Sequence, residues 1–188
     1  MKRARTTKGA SLTGGTGDFN PQSYSITVGN NGADGRNTAG FPTPIPRFGT
    51  SGTTSPVMEI LKVYFVVDDL TAISGQTSIV CSLSTASLAG IAITVPNDVQ
   101  LILDPRVIAF ISIDGIFSTA AGFAITSRVT EFDLTDGSGR GILVATDSLY
   151  LNLNTVNTGR INYVNAKIIY RLKNVTLQEY VGIVQSQQ

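Results

Sequence analysis

Polar and apolar positions alternate along residues 160–173 (RINYVNAKIIYRLK). Val164, Ala166, Ile168, Tyr170 and Leu172 fall on one side, and Tyr163, Asn165, Lys167, Ile169, Arg171 and Lys173 on the other. A period of two predicts a long strand with one buried and one wetter face, because successive side chains of a strand point to opposite sides. A helix here would scatter Lys167, Arg171 and Lys173 among the apolar residues. Residues 57–69 (VMEILKVYFVVDD) hold five β-branched residues and read as a strand buried on both faces for part of its length. The spacing of Glu59 and Lys62 leaves a short helix as the rival.

Further strands are expected at 77–84, 91–95, 99–103, 106–113, 123–132, 142–146, 149–153 and 175–185, separated by turn signals such as Pro96-Asn97 and DGSGRG at 136–141. Residues 114–122 read as a Gly/Ala-rich loop, and no helix of ten residues is expected. Upstream, residues 22–28 alternate Tyr24, Ile26 and Val28 as a short strand, and residues 29–40 carry loop signals. The three prolines of 41–48 (FPTPIPRF) exclude a helix or a central strand. The division that follows is an extended arm over 1–56 and an all-β body over 57–188 that ends in a strand segment.

Composition sharpens this picture in three places. Charged residues make up only 14% of the 188, against about a quarter in average proteins. Surfaces hidden between subunits need no charge, so the deficit points to self-association; an ordinary Ser/Thr-rich β domain has the same composition. Residues 1–56 hold six basic and two acidic residues, a net +4, whereas the rest holds eight basic and eleven acidic, a net −3. Four of those cations, Lys2, Arg3, Arg5 and Lys8, stand close together with no acid among them. They suit non-specific contact with nucleic-acid phosphates, or serve as a solubilising end.

Catalytic chemistry finds little material. There is no His, which removes the commonest general base, the Ser-His-Asp triad and most zinc sites. The one cysteine, Cys81, lies in an apolar run and reads as a buried small hydrophobe. Carboxylates gather as Asp68 with Asp69, Asp98 with Asp104, and Asp133 with Asp136, all at strand ends or turns where Asp is favoured for backbone reasons. No resident cofactor is expected, and Ca²⁺ shared between subunits is the one metal this pattern admits. No stretch of about 18 apolar residues is present, so no membrane partner is expected.

At the far end, Tyr180, Val181, Ile183 and Val184 are strand-prone and almost uncharged. An exposed strand of this kind aggregates, so it is either paired in its own sheet or added to a neighbour's sheet; the second places these four residues at a subunit interface.

The basic MKRARTTK arm, the Gly/Ser/Thr stretch after it, the FPTPIPRF lead-in and the eight-strand body together resemble the coat proteins of small icosahedral single-stranded DNA or RNA viruses. The resemblance implies an eight-stranded antiparallel jelly roll, two sheets packed face to face. It makes 57–69 the first body strand and 160–173 the last, side by side. It further implies a structural rather than enzymatic role, self-assembly into a shell, genome contact through the arm, and residence in the virion after assembly inside the host cell. The competing class is a β-sandwich binding module, a lectin-like or phage-fibre oligomer with its ligand at loops 114–122 or 133–141.

Overall fold

The computed structural model describes residues 20–30, 35–46, 53–67, 70–71, 75–88, 103–117, 124–125, 128–158 and 162–187. Among the described residues eleven strands and one helix of full length follow one another: β1 (Gln22–Gly29), β2 (Gly35–Pro42), β3 (Thr54–Val67), β4 (Leu70–Thr71), β5 (Gly75–Ser84), β6 (Val107–Phe117), β7 (Ala124–Ile125), β8 (Arg128–Asp133), β9 (Ile142–Val144), β10 (Ser148–Val156), β11 (Tyr163–Thr176) and α1 (Leu177–Ser186).

The strand pairing is nested. β1 pairs with β11, β2 with β10, β3 with β8 and β9, and β5 with β6, every pair antiparallel. β11 also pairs with β3, and β10 with β5. Two sheets result, β1-β11-β3-β8 with β9 beside β3, and β2-β10-β5-β6; β4 and β7 form a small separate ladder. A chain folded so that its first strand meets its last, its second the next to last, and so inward, is a jelly roll. β8 and β9 lie end to end along one side of β3, as one strand interrupted by the 134–141 turn.

The period-two pattern decides which face is dry. Even positions 164 to 170 of β11, Ile26 and Val28 of β1, and Val144 of β9 pack against Leu149, Leu151 and Leu153 of β10, Ile79, Cys81 and Leu83 of β5, and Ala109, Ile111 and Ile113 of β6. In β3 the buried parity changes, with Met58 and Ile60 followed by Val63, Phe65 and Val67. The register against β11 shifts at that point, Tyr170 facing Ile60 and Ile169 facing Lys62, so Leu61 is an extra residue. This bulge explains why 57–69 reads from sequence as buried on both faces. Phe65 and Phe132 meet edge to face across the β3–β8 ladder, ring centroids 5.7 Å apart.

Two edge strands carry glycines covered by tyrosines. Gly29 of β1 faces Tyr163 and Gly40 of β2 faces Tyr150; a Cβ on Gly29 would lie 2.7 Å from the Tyr163 ring. The rings supply the apolar contact that these glycines lack.

Several expectations are corrected. Residues 22–42 contribute two strands to the sheets: β1, expected as a short strand within the arm, and β2, which falls largely on the expected loop 29–40. β2 escaped notice because GRNTAGFP has little strand propensity, and its ladder with β10 creates the strand. β3 and β11 do lie side by side, but β3 is the third strand, and β1 occupies the other side of β11. β6 continues to Phe117, into the expected loop 114–122, and the expected strand 123–132 divides into β7 and β8. Apart from Leu103, the strands expected at 91–95 and 99–103 lie outside the described residues.

The end segment is a helix, not a strand. Thr176 and Glu179 form a capping box: Glu179 N–H donates to Thr176 Oγ1 at 3.3 Å, and Thr176 N–H donates to Glu179 Oε2 at 2.9 Å. Tyr180, Ile183 and Val184 then fall on one helical stripe. The Thr-x-x-Glu spacing at 176–179 is the sequence mark of this helix start, against the strand propensity of Tyr, Val and Ile that follows it.

Candidate functional site

α1 lies over the outer face of the larger sheet, at the end where β3 begins and β11 ends. Its seat is Val57, Ala145 and Val175, all buried, with Leu143 alongside; Tyr180, Ile183 and Val184 pack into it. Val57 and Val175 point away from the main core, so the helix makes a second, smaller apolar layer. Three of the four residues assigned to a neighbour's sheet therefore rest on the chain's own sheet. The fourth, Val181, is 52% exposed and shares the outward side of α1 with Leu177, 46% exposed. Next to the helix is a cleft of about 210 Å³ lined by Thr43, Ile45, Pro46, Ser55, Pro56, Ala145, Asp147 and Tyr180.

On the same outer face a carboxylate is buried. Glu59 is 1% exposed and accepts hydrogen bonds from Arg171 Nε at 2.5 Å and from Gly141 N–H at 3.0 Å. Arg171 also donates to the Gly139 carbonyl at 3.1 Å. Burial pushes the Glu59 carboxyl up, but the Arg171 and Gly141 hydrogen bonds and the charges of Arg171 and Lys173 outweigh it, leaving the group below its ordinary value. The pair fastens the 136–141 turn to β3 and β11. Within that turn Asp136 Oδ1 accepts from Ser138 N–H and Arg140 N–H, each at 3.0 Å, and Gly137 and Gly139 take positive φ. Gly141 passes so close to β3 that a Cβ on it would lie 2.0 Å from the Ile60 carbonyl oxygen. In the sequence Glu59 stands out only by its helical spacing from Lys62. A single acid inside an apolar run, with an Arg on the strand destined to pair with it, was the available clue.

Other described carboxylates are engaged in local structure. Lys62 bridges Glu131 at 2.7 Å and Asp133 at 3.4 Å on the solvent side of the sheet. Asp104 holds Arg106 at 2.7 Å. Among the described residues no group of three or more His, Cys, Asp or Glu is placed to hold a metal ion. Cys81 is buried in the main core, and burial pushes its thiol far up, away from nucleophilic use. Lys2, Arg3, Arg5 and Lys8 lie outside the described residues, as do Asp68, Asp69 and Asp98. No described helix is long and apolar enough to cross a membrane.

The fold is a jelly roll, and solved structures share it. Merkel cell polyomavirus VP1 in complex with GD1a oligosaccharide aligns with 87% of this chain and 98% of its own at a TM-score of 0.50 and 11% identity. VP1 of Trichodysplasia spinulosa-associated polyomavirus, in complex with GM1 oligosaccharide, aligns with 82% of this chain and 94% of its own at a TM-score of 0.49 and 11% identity. Apo New Jersey polyomavirus VP1 aligns with 82% of this chain and 100% of its own, at 0.46 and 9%. These VP1 chains are capsid proteins. No protein-family model and no curated protein matches the chain.

Proposed function

We propose that this chain is the coat protein of a small icosahedral virus, many copies of which assemble into a closed shell around a nucleic-acid genome. The observation that carries the proposal is the nested eight-strand pairing that runs unbroken in order from β1 to β11, in the arrangement shared with Merkel cell polyomavirus VP1. The low charged share supports it, since a wall subunit buries much of its surface against copies of itself. In this reading the sandwich forms the wall. Lys2, Arg3, Arg5 and Lys8 reach inward to phosphates. Closed symmetry then fixes the size of the particle.

The test is size-exclusion chromatography of the purified chain at physiological salt. Elution as a particle of many subunits supports the proposal, and a stable monomer at micromolar concentration overturns it. The arm has its own test. Deleting residues 1–8 should lower the 260/280 absorbance ratio of purified particles, and an unchanged ratio would show that the arm does not hold genome.

A second reading, glycan binding, is favoured by the oligosaccharides bound to the VP1 neighbours and by the exposed, internally braced turn at 136–141. The chain has no Trp on which a sugar ring would stack. A glycan array with no hits ends that reading.

A further inference from the structure

Among the described residues, the outer edge of β9 is met by a side chain rather than by a strand. Gln187 Nε2 donates to the Leu143 carbonyl at 2.6 Å, and Gln187 Oε1 accepts from Ala145 N–H at 3.2 Å. A carbonyl and an N–H two residues apart on one side of a strand are the groups that an adjoining strand engages. Gln187 is 8% exposed, and its own carbonyl accepts from Thr85 Oγ1 at 3.4 Å. Between this anchor and the capping box at Thr176, α1 is lightly held. None of its residues is fully buried, Gly182 sits mid-helix with open space where a Cβ would stand and lowers its helix propensity, and Tyr180, Val181, Ile183 and Val184 prefer strands to helices. The surface beneath is dry and apolar.

We infer that α1 is a cover that restrains self-association, and that the Gln187 amide is its latch. With the latch closed, the β9 edge is blocked and the seat of Val57, Ala145 and Val175 is covered. With it open, the Leu143 carbonyl and the Ala145 N–H stand at the rim of an apolar surface. A bare edge of that kind pairs with another strand edge. The partner is the same edge of a second copy, because two like, uncharged edges meet antiparallel about a two-fold axis without repulsion. The inference rests on the self-assembly reading and adds a control to it.

Two variants of the full chain move the latch in opposite directions. Gln187→Glu keeps the side-chain shape but removes the donor to Leu143, and Gly182→Ala stiffens the helix without a clash. Hydrogen exchange at Ala145 and the concentration at which association begins in sedimentation velocity are read together, with Gln178→Ala as a control. Gln187→Glu should speed exchange at Ala145 about tenfold and lower the association threshold by a similar factor, and Gly182→Ala should shift both the other way. Unchanged exchange in Gln187→Glu overturns the latch. Faster exchange with an unchanged or raised threshold overturns the control of association. If the wild-type chain never associates, the coat-protein reading fails, while the exchange result still decides whether the latch exists.

Discussion

Removing Arg171 should harm this protein more than removing the acid it pairs with. In Arg171→Met the stem still covers the sheet, but Glu59, at 1% exposure, keeps only the Gly141 N–H as a donor. Breaking a buried pair from one side typically costs about 3–5 kcal/mol. The Arg171 side chain is 20% exposed, so water reaches part of the site and the lower end, about 3 kcal/mol, is expected. Glu59→Gln retains an acceptor for Gly141 and leaves Arg171 near enough to solvent to hydrate, so about 1 kcal/mol is expected. The double variant should resemble Glu59→Gln, because the stranded charge is gone.

The pH dependence separates this account from simple loss of packing. The folded Glu59 carboxyl lies below its ordinary value, so the pair's contribution is fully present above the unfolded value of about 4.3 and is lost as pH falls through the lower folded value. In Arg171→Met desolvation dominates and the carboxyl rises above the unfolded value. Protonation then favours the folded variant, and its deficit should narrow between pH 7 and pH 4. Urea unfolding followed by circular dichroism, at a concentration that leaves the midpoint unchanged, measures this. Equal penalties for the two single variants, with a gap that does not move with pH, would refute the reasoning.

Other perturbations have equally definite outcomes. Gly141→Ala should destabilise by about 3 kcal/mol in the same assay, because its Cβ would meet the Ile60 carbonyl and the backbone must move; a loss below about 0.5 kcal/mol would contradict that close approach. Phe65→Ala removes a fully buried ring and its edge-to-face partner, and a loss of about 3–5 kcal/mol is expected from thermal unfolding. Tyr163→Ala uncovers Gly29 on an edge strand and should cost about 0.5–1 kcal/mol, with faster hydrogen exchange confined to β1.

Individual strands were legible where the alternating pattern was strong, whereas the jelly roll itself came from the resemblance to viral coat proteins. β11, β10 and β5 were placed largely over their observed spans because their buried residues are apolar and fall regularly at every second position. β2 was not legible, since its Gly, Asn and Pro residues become a strand only through pairing with a distant segment. The parity change in β3 shows in the sequence only as a strand apolar on both faces, because the register of β11 is needed to reveal the bulge. At 177–186 two local signals competed, and the capping box with an apolar stripe over Val57 and Val175 prevailed over residue propensity. Gln187 carried no sequence signal, because its role depends on where the β9 edge lies.

Electron microscopy of the purified full chain at physiological salt tests the central claim most directly. The account predicts closed, hollow particles of one diameter, with walls one sandwich thick. A field of isolated subunits, or open aggregates of no fixed size, would contradict it.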